Sequence, residues 1–167
     1  MRMLISEPTT TFNFRAMSSK LKGVRGLGGV EGLQRILGEL KELGLVEFLD
    51  NDRAARLLDD SSAVQVLKRF AAMCDLESLC KLLEPVASKV ILFGSRASGR
   101  ARTDSDYDLF IVTEDPATVS EIAHSHPLGK SIEVVAWTPD MYSTLEKRDA
   151  ALARKLETGI VLLGSTW

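Results

Sequence analysis

The stretch that decides the fold runs from Val90 to Val112 and reads VILFGSRASGRARTDSDYDLFIV. Its first residues, Val90 to Phe93, form a continuous apolar run, which is typical of a strand buried on both faces. Gly94 and Ser95 follow at once and open a short stretch compatible with a helix. A glycine lets a phosphate approach the backbone, and the free N–H groups of a first helical turn attract anions. The pattern therefore predicts a strand that runs into a phosphate-binding turn.

Two carboxylates introduce the next strand. Asp106-Tyr107-Asp108 stands directly before the apolar run Leu109 to Val112. Side chains alternate along a strand, so Asp106 and Asp108 project from one face, where their oxygens can hold one or two hard divalent cations. Burying two like charges without such a cation would be costly. We therefore predict a metal site here, the alternative being an acidic loop that leads into a strand.

A third carboxylate is expected on a neighbouring strand. Glu133 is the only acid in the strand-like run from Ser131 to Trp137, which makes it a natural metal ligand. Without the aspartate pair, Glu133 would equally fit an exposed residue at the edge of a sheet.

The Gly94-Ser95 pair, the ten-residue gap and Asp106-x-Asp108 resemble the signature of the polymerase-beta-like nucleotidyltransferases, particularly the minimal nucleotidyltransferase group. Glu133 falls where that family has its third acid, commonly Asp. The closing Leu156 to Leu163 resembles the terminal helix, glycine and strand of the same group. The resemblance spans Pro85 to Trp167, about half of the chain.

This resemblance implies transfer of a nucleoside monophosphate from a nucleoside triphosphate, taken as ATP, to a hydroxyl, with release of pyrophosphate. Two Mg²⁺ ions could clamp the attacking and leaving oxygens. Asp106 and Asp108 would hold both ions, and Glu133 would complete the site of the ion that activates the acceptor. Gly94 and Ser95 would hold the triphosphate tail, and the nearby Arg96 would add positive charge to it. The extra methylene of Glu133 could retune the metal position or weaken catalysis.

The first third of the chain resembles a second module. A short helix over Phe12 to Leu21, a glycine cluster, an amphipathic helix over Val30 to Leu43 and a hairpin around Asp50-Asn51-Asp52 are predicted in that order. This order resembles the winged helix-turn-helix modules of prokaryotic transcription regulators, with Val30 to Leu43 as the recognition helix. Its candidate contacts to duplex DNA are Gln34, Arg35 and Lys41. The alternative is a module for dimerisation or packing, so a homodimer stays open.

The predicted fold class is therefore α+β with a winged-helix-like module over residues 1–60, a helical connector over 61–84 and a nucleotidyltransferase domain over 85–167. The connector is predicted as two helices, one from Ser61-Ser62 to about Met73 and one from Leu76 to Glu84, with Asp75 as the cap between them. The C-terminal domain is expected to contain a mixed sheet flanked by helices.

Composition limits the classes of partner. The 167 residues carry 21 basic and 23 acidic side chains, a formal charge of -2, so any nucleic-acid contact must be local. The apolar runs are too short for a membrane span, and we expect an intracellular, cytoplasmic protein without a membrane partner. Cys74 and Cys80 are expected to be buried thiols, and His124 and His126 to form a surface turn.

Three functional hypotheses remain. The first is an active nucleotidyltransferase whose acceptor is a protein or a small molecule. The second is a DNA-binding regulator whose nucleotidyltransferase domain senses nucleotide without turnover. The third is an antitoxin-like protein that transfers the nucleotide to a cognate toxin.

Overall fold

The computed structural model describes residues 1–164 and divides the chain into two compact units, Met1–Leu67 and Lys68–Trp167. The first unit contains, in order, α1 (Arg2–Ser6), β1 (Phe12–Asn13), α2 (Phe14–Lys20), α3 (Gly29–Glu42), β2 (Val46–Leu49) and β3 (Ala54–Leu57). The division falls within the next element, α4 (Ser62–Leu83). Each unit is described by itself.

The three strands of the first unit form an antiparallel sheet in the order β1, β3, β2. The predicted hairpin is confirmed, because β2 and β3 pair around Asp50, Asn51 and Asp52, whose φ angles are all positive, at 53°, 54° and 60°. Asn and Asp tolerate this left-handed conformation better than most residues. The core beneath the sheet comes from α1 to α3, the three strands and the start of α4.

The amphipathic helix α3 is also confirmed. It ends just before Gly44, whose φ of 68° is the left-handed conformation expected one residue beyond the helix cap. The prediction for the preceding helix was wrong at its start, because Phe12 and Asn13 form β1. The side chain of Asn13 then accepts hydrogen bonds from the backbone N–H groups of Arg15 and Ala16, so Asn13 is the cap in place of the threonines.

The prediction of two connector helices was wrong as well. A single helix, α4, runs through Ser62–Leu83 without a break. The segment contains neither Gly nor Pro, so nothing in its backbone requires an end at Asp75. Asp75 instead accepts a 2.9 Å hydrogen bond from the hydroxyl of Tyr107, which gives this mid-helix carboxylate a partner on another element.

The second unit contains one sheet, which is mixed as predicted, and its strand order is β6, β5, β4, β7. Strand β5 runs parallel to β6 and antiparallel to β4, and β4 runs antiparallel to β7. After α4 the elements are β4 (Lys89–Phe93), α5 (Gly94–Ser98), β5 (Tyr107–Val112), α6 (Pro116–Ser125), a 3-10 turn (Gly129–Ser131), β6 (Ile132–Trp137), α7 (Pro139–Tyr142), α8 (Leu145–Arg148), α9 (Ala150–Glu157) and β7 (Ile160–Leu163).

Helices cover both faces of this sheet. One face, which carries Val90, Leu92 and Leu109, packs against α4 and α6. The opposite face carries Ile91 and Phe110 and packs against α8 and α9. Alternation along β5 therefore places Asp108 on the same face as Phe110, towards α9. The predicted helix, glycine and strand at the end of the chain are confirmed as α9, Gly159 and β7.

Three smaller expectations were wrong. Cys74 is exposed and Cys80 is partly buried, because helix periodicity turns Cys74 away from the core. Burial raises the pKa of the Cys80 thiol. His126 is buried rather than part of an open turn, and its Nε2 lies 2.9 Å from the hydroxyl of Ser78. None of the helices within residues 1–164 combines the length and apolar character needed to cross a membrane.

Candidate active site

The three carboxylates selected from the sequence lie at one end of the mixed sheet, with Asp108 and Glu133 as neighbours on adjacent strands. Asp108 is the second residue of β5, and Asp106 lies one residue before that strand. Glu133 is the second residue of β6 and stands directly beside Asp108 in the parallel register. Asp106 and Glu133 are exposed and Asp108 is partly buried, so a ligand can approach this end of the sheet from solvent.

The electrostatics of the site centre on Asp108. Its pKa is raised, first by burial and then by the negative charges of Glu133 and Asp106. The positive charges of Lys155 and Arg96 lower it again, without cancelling the rise. Without a cation, the ionised carboxylates therefore repel one another, which is the electrostatic environment that a divalent cation relieves.

The carboxylates lie at the same end of the sheet without converging on one point. Within residues 1–164, no three His, Cys, Asp or Glu side chains stand close enough together to hold one metal ion. The donor set nevertheless fits Mg²⁺, because all three side chains offer hard oxygen ligands and Asp108 already interacts with both other acids.

The structure gives a reason for a glycine at position 94 that the sequence did not reveal. Its φ is 72°, and a Cβ built on it would overlap the Oδ2 atom of Asp108. Phe93, the residue before it, pairs with Asp108 across β4 and β5. The turn after β4 therefore passes directly over the carboxylate, and only glycine leaves space for it.

Arg96 makes contacts within the protein. Its Nε donates to the carbonyl oxygens of Ser105, at 3.1 Å, and Asp106, at 3.2 Å, and its Nη2 donates to that of Ser105 at 2.5 Å. The guanidinium carbon also lies 3.8 Å from the centroid of the Tyr107 ring. The backbone N–H of Arg100 donates to the carbonyl of Ser95, which closes the turn around α5.

Sequence reasoning missed Lys155, Tyr107 and Asp75. Lys155 lies on α9, and only the packing of that helix on the Asp108 face brings its charge near the acids. Tyr107 stood in the quoted motif, but its position between two aspartates did not indicate its contact with Asp75, 32 residues earlier. An alternating strand pattern showed only that Tyr107 points away from the carboxylates.

The residues proposed for DNA binding belong to the first unit. Gln34 and Arg35 are exposed on α3. Lys41 lies 3.9 Å from a carboxylate oxygen of Asp52 and 4.7 Å from the centroid of the Phe48 ring. Gln34 also lines a depression of about 450 Å³. The other lining residues come from β1, α2, α3 and the hairpin turn, namely Asn13, Phe14, Arg15, Val30 and Arg53.

A cavity of about 900 Å³ also lies in the second unit, but it is not the carboxylate site. Its lining includes Lys89, Ile91, Val112, Tyr142 and Leu156, and none of the three acids. Lys89 and Val112 pair at the opposite end of β4 and β5 from Phe93 and Asp108. The cavity and the acids therefore occupy opposite ends of these strands.

A family profile covers the segment of the chain that contains this candidate site. Residues 75–157, about half of the chain, match the family profile described as "Nucleotidyltransferase domain". This part of the chain is therefore a nucleotidyltransferase domain, and it contains β4, the glycine turn, β5 and β6 with all three acids.

Among solved structures, the chain is similar to one described as a "putative nucleotidyltransferase" from Sulfolobus solfataricus. The identity is 11%, the match covers 61% of this chain and 88% of the other, and the TM-score is 0.38. No curated protein matches the chain.

Proposed function

We propose that this protein transfers a nucleoside monophosphate from a nucleoside triphosphate, with ATP as the first candidate, to a hydroxyl of a protein or a small molecule. One observation carries the proposal: Asp108 and Glu133 stand side by side in the parallel register, and Asp106 lies just before the same strand. These carboxylates lie at the end of β4 where the glycine turn passes over Asp108. That arrangement suits a triphosphate held beside cation-binding oxygens.

The chemistry follows from these groups. The acceptor hydroxyl gives its proton to solvent water and attacks the α-phosphorus. The bond from that phosphorus to the bridging oxygen breaks, and pyrophosphate leaves with the bonding electron pair. Divalent cations supply charge neutralisation for the attacking and leaving oxygens when they are bound. Asp106 and Asp108 hold and orient the cation-bound nucleotide. Glu133 supplies a further carboxylate for the cation that activates the acceptor hydroxyl. Gly94 and Ser95 flank the phosphates.

Lys155 is the cation that we assign to the substrate side. It is exposed on α9 and its charge reaches Asp108. A mobile ammonium on a helix that covers the site can contact the negative triphosphate while leaving the carboxylates to the metal. Its positive charge also keeps Asp108 closer to its ionised, ligating form.

Labelled nucleotide transfer tests the proposal. The protein is incubated with each α-labelled nucleoside triphosphate, Mg²⁺ and lysate from its native host, and the acceptor is identified by the label it gains. We expect transfer that stops in EDTA and in the Asp106→Asn/Asp108→Asn variant. Asp104→Asn, an exposed acid on the same loop, is the matched control and should keep activity. Transfer that survives both EDTA and the double substitution would refute the assignment.

Two further outcomes distinguish the alternatives. Binding of Mg²⁺-ATP without transfer to any acceptor, including the chain itself, would favour a nucleotide sensor. Label on a single host protein whose toxicity is lost on modification would favour the antitoxin-like role.

We also propose that the first unit binds duplex DNA. The order of its elements, helix, strand, two helices and a hairpin, with sheet order β1, β3, β2, supports a winged helix-turn-helix module. Arg15, Gln34 and Arg53, from three separate elements, line one depression beside α3. Because arginines bind phosphates and glutamine can read base edges, this surface offers both kinds of contact.

DNA retention at low salt tests this second proposal. Arg15→Ala and Arg53→Ala should each reduce the salt dependence of binding by about one phosphate contact, whereas Gln34→Ala should relax sequence preference. Arg56→Ala is the control, since its guanidinium already pairs with Glu47. If no genomic fragment binds even at low salt, the unit serves dimerisation or partner docking instead.

A further inference from the structure

We propose that Arg96 is a positioning residue that holds the segment bearing Asp106 and Asp108, rather than a ligand of the triphosphate. The inference rests on the proposed function, because the role that we assign to Arg96 is to orient carboxylates that bind metal. Tyr107 and Asp75 belong to the same chain of contacts, which links α5, β5 and α4.

The first support is the hydrogen bonding of the guanidinium. Its Nε and Nη2 together donate to the carbonyl oxygens of Ser105 and Asp106. These two nitrogens form one edge of the planar group, so that edge is occupied by the backbone of the aspartate segment. A contact of this kind fixes the peptide from which the Asp106 side chain departs.

The second support is the stacking of the same group on Tyr107. With the guanidinium carbon 3.8 Å from the ring centroid, one face of Arg96 is covered by the residue between the two aspartates. Tyr107 is itself buried and donates a 2.9 Å hydrogen bond from its hydroxyl to Asp75 on α4. The ring therefore cannot shift without breaking a contact at its far end.

The third support is the position of Arg96 in the chain. It is two residues after Gly94, whose turn passes over the Asp108 carboxylate. Arg96 thus ties α5, which follows the glycine turn, to the segment that presents both carboxylates. Movement of either segment would change the distance between the turn at Gly94 and the carboxylates of Asp106 and Asp108.

Lysine cannot replace this arrangement. An ammonium carries the same charge, but it lacks the planar fork that donates to two carbonyls while stacking on a ring. The charge-conserving variant Arg96→Lys therefore separates the two roles. A triphosphate contact would be largely kept by lysine, whereas the positioning role would be lost.

The experiment uses the full chain with Arg96→Lys, Arg96→Ala and, as matched control, Arg102→Lys, an exposed arginine on the same loop. Amide hydrogen exchange over residues 99–108 is measured without metal. Binding of Mn²⁺ is measured by calorimetry, and kcat and KM for ATP are measured at saturating Mn²⁺. Thermal unfolding confirms that each variant is folded.

We expect faster exchange in both Arg96 variants and a loss of Mn²⁺ affinity of roughly 10- to 100-fold, the usual effect of removing a group that orients a metal ligand. KM for ATP at saturating Mn²⁺ should stay close to that of the parent while kcat falls. Tyr107→Phe, which keeps the ring but loses the hydroxyl, should show a smaller change in the same direction.

A contrary pattern would overturn the inference: unchanged exchange and Mn²⁺ affinity in Arg96→Lys, with a raised KM for ATP in Arg96→Ala alone. That result would make Arg96 a triphosphate ligand. The two proposals can fail separately. If the parent neither binds Mn²⁺ nor transfers a nucleotide, the proposed function is wrong, while the exchange data still decide whether Arg96 holds the segment.

Discussion

Gly94 leaves the space that the carboxylate of Asp108 occupies, because a Cβ at position 94 would overlap Oδ2 of that side chain. The turn after β4 and the start of β5 therefore fit closely together in the protein itself. The absence of a side chain at this position is therefore required by the protein's own carboxylate, and the proposed approach of a phosphate would require it as well.

Gly94→Ala tests this fit. The left-handed φ of 72° alone costs a non-glycine residue about 1–2 kcal/mol, and the overlap with Asp108 adds to that cost. We expect reduced thermal stability together with weakened binding of Mg²⁺-ATP. Gly44→Ala is the matched control, since its φ is 68° but nothing lies within 4 Å of the added carbon. Equal nucleotide binding by the parent and Gly94→Ala would contradict the fit.

The sequence predicted the acids and the strands that carry them, because an Asp-x-Asp pair before an apolar run and one acid in another run are local patterns. It also predicted the hairpin, α3 and the terminal helix, glycine and strand. The break at Asp75 was wrong because the partner of that carboxylate, Tyr107, is far away in the sequence. The contacts of Arg96 and the approach of Lys155 likewise depend on packing between elements, which no local pattern encodes.

Asp108 should make the metal-free protein less stable at neutral pH than at acidic pH. Its pKa is raised in the folded state, so the folded protein binds more protons than the unfolded chain between the two pKa values. The contribution of this group to stability therefore falls as the pH rises through that interval. Asp108→Asn should raise the Tm in EDTA at pH 7, and the gain should disappear at low pH.

The matched control for this measurement is Asp104→Asn, which removes an exposed acid from the same loop. Adding Mg²⁺ should raise the Tm of the parent, since a ligand that binds only the folded state stabilises it, and leave Asp108→Asn unchanged. A Tm of Asp108→Asn in EDTA below that of the parent at pH 7 would show that the carboxylate is not repelled.

Lys155→Gln should weaken the binding of Mg²⁺ and ATP at the carboxylate site, because it removes a positive charge that α9 supplies. Loss of its charge lets the pKa of Asp108 rise further, so Mg²⁺ binding should shift to higher pH. Affinity for ATP should fall by up to about five-fold, the scale of one exposed charge contact. Lys147→Gln, an exposed lysine on α8, provides the control. An unshifted pH profile of Mg²⁺ binding would exclude Lys155 from the site.

In the proposed function, substitution of Glu133 distinguishes an active enzyme from a nucleotide sensor. It is exposed beside Asp108, in the register where it can complete the cation site on the acceptor side. In the proposed mechanism, Asp106 and Asp108 hold the cation-bound nucleotide, whereas Glu133 is needed to order the attacking hydroxyl. Glu133→Gln should therefore keep most ATP binding, measured by calorimetry with Mg²⁺, while transfer falls about 10²-fold or more.

Glu133→Asp is the reciprocal variant, because it keeps the charge and removes one methylene. If the longer side chain of Glu133 limits the rate, Glu133→Asp should equal or exceed the parent in the labelled-transfer assay. If the length of the Glu133 side chain suits this site, the transfer rate of Glu133→Asp should fall between the rates of the parent and of Glu133→Gln. Transfer by Glu133→Gln at the parent's rate would remove Glu133 from the mechanism, and the acceptor side would then have to be built from other groups on the α9 face of the sheet.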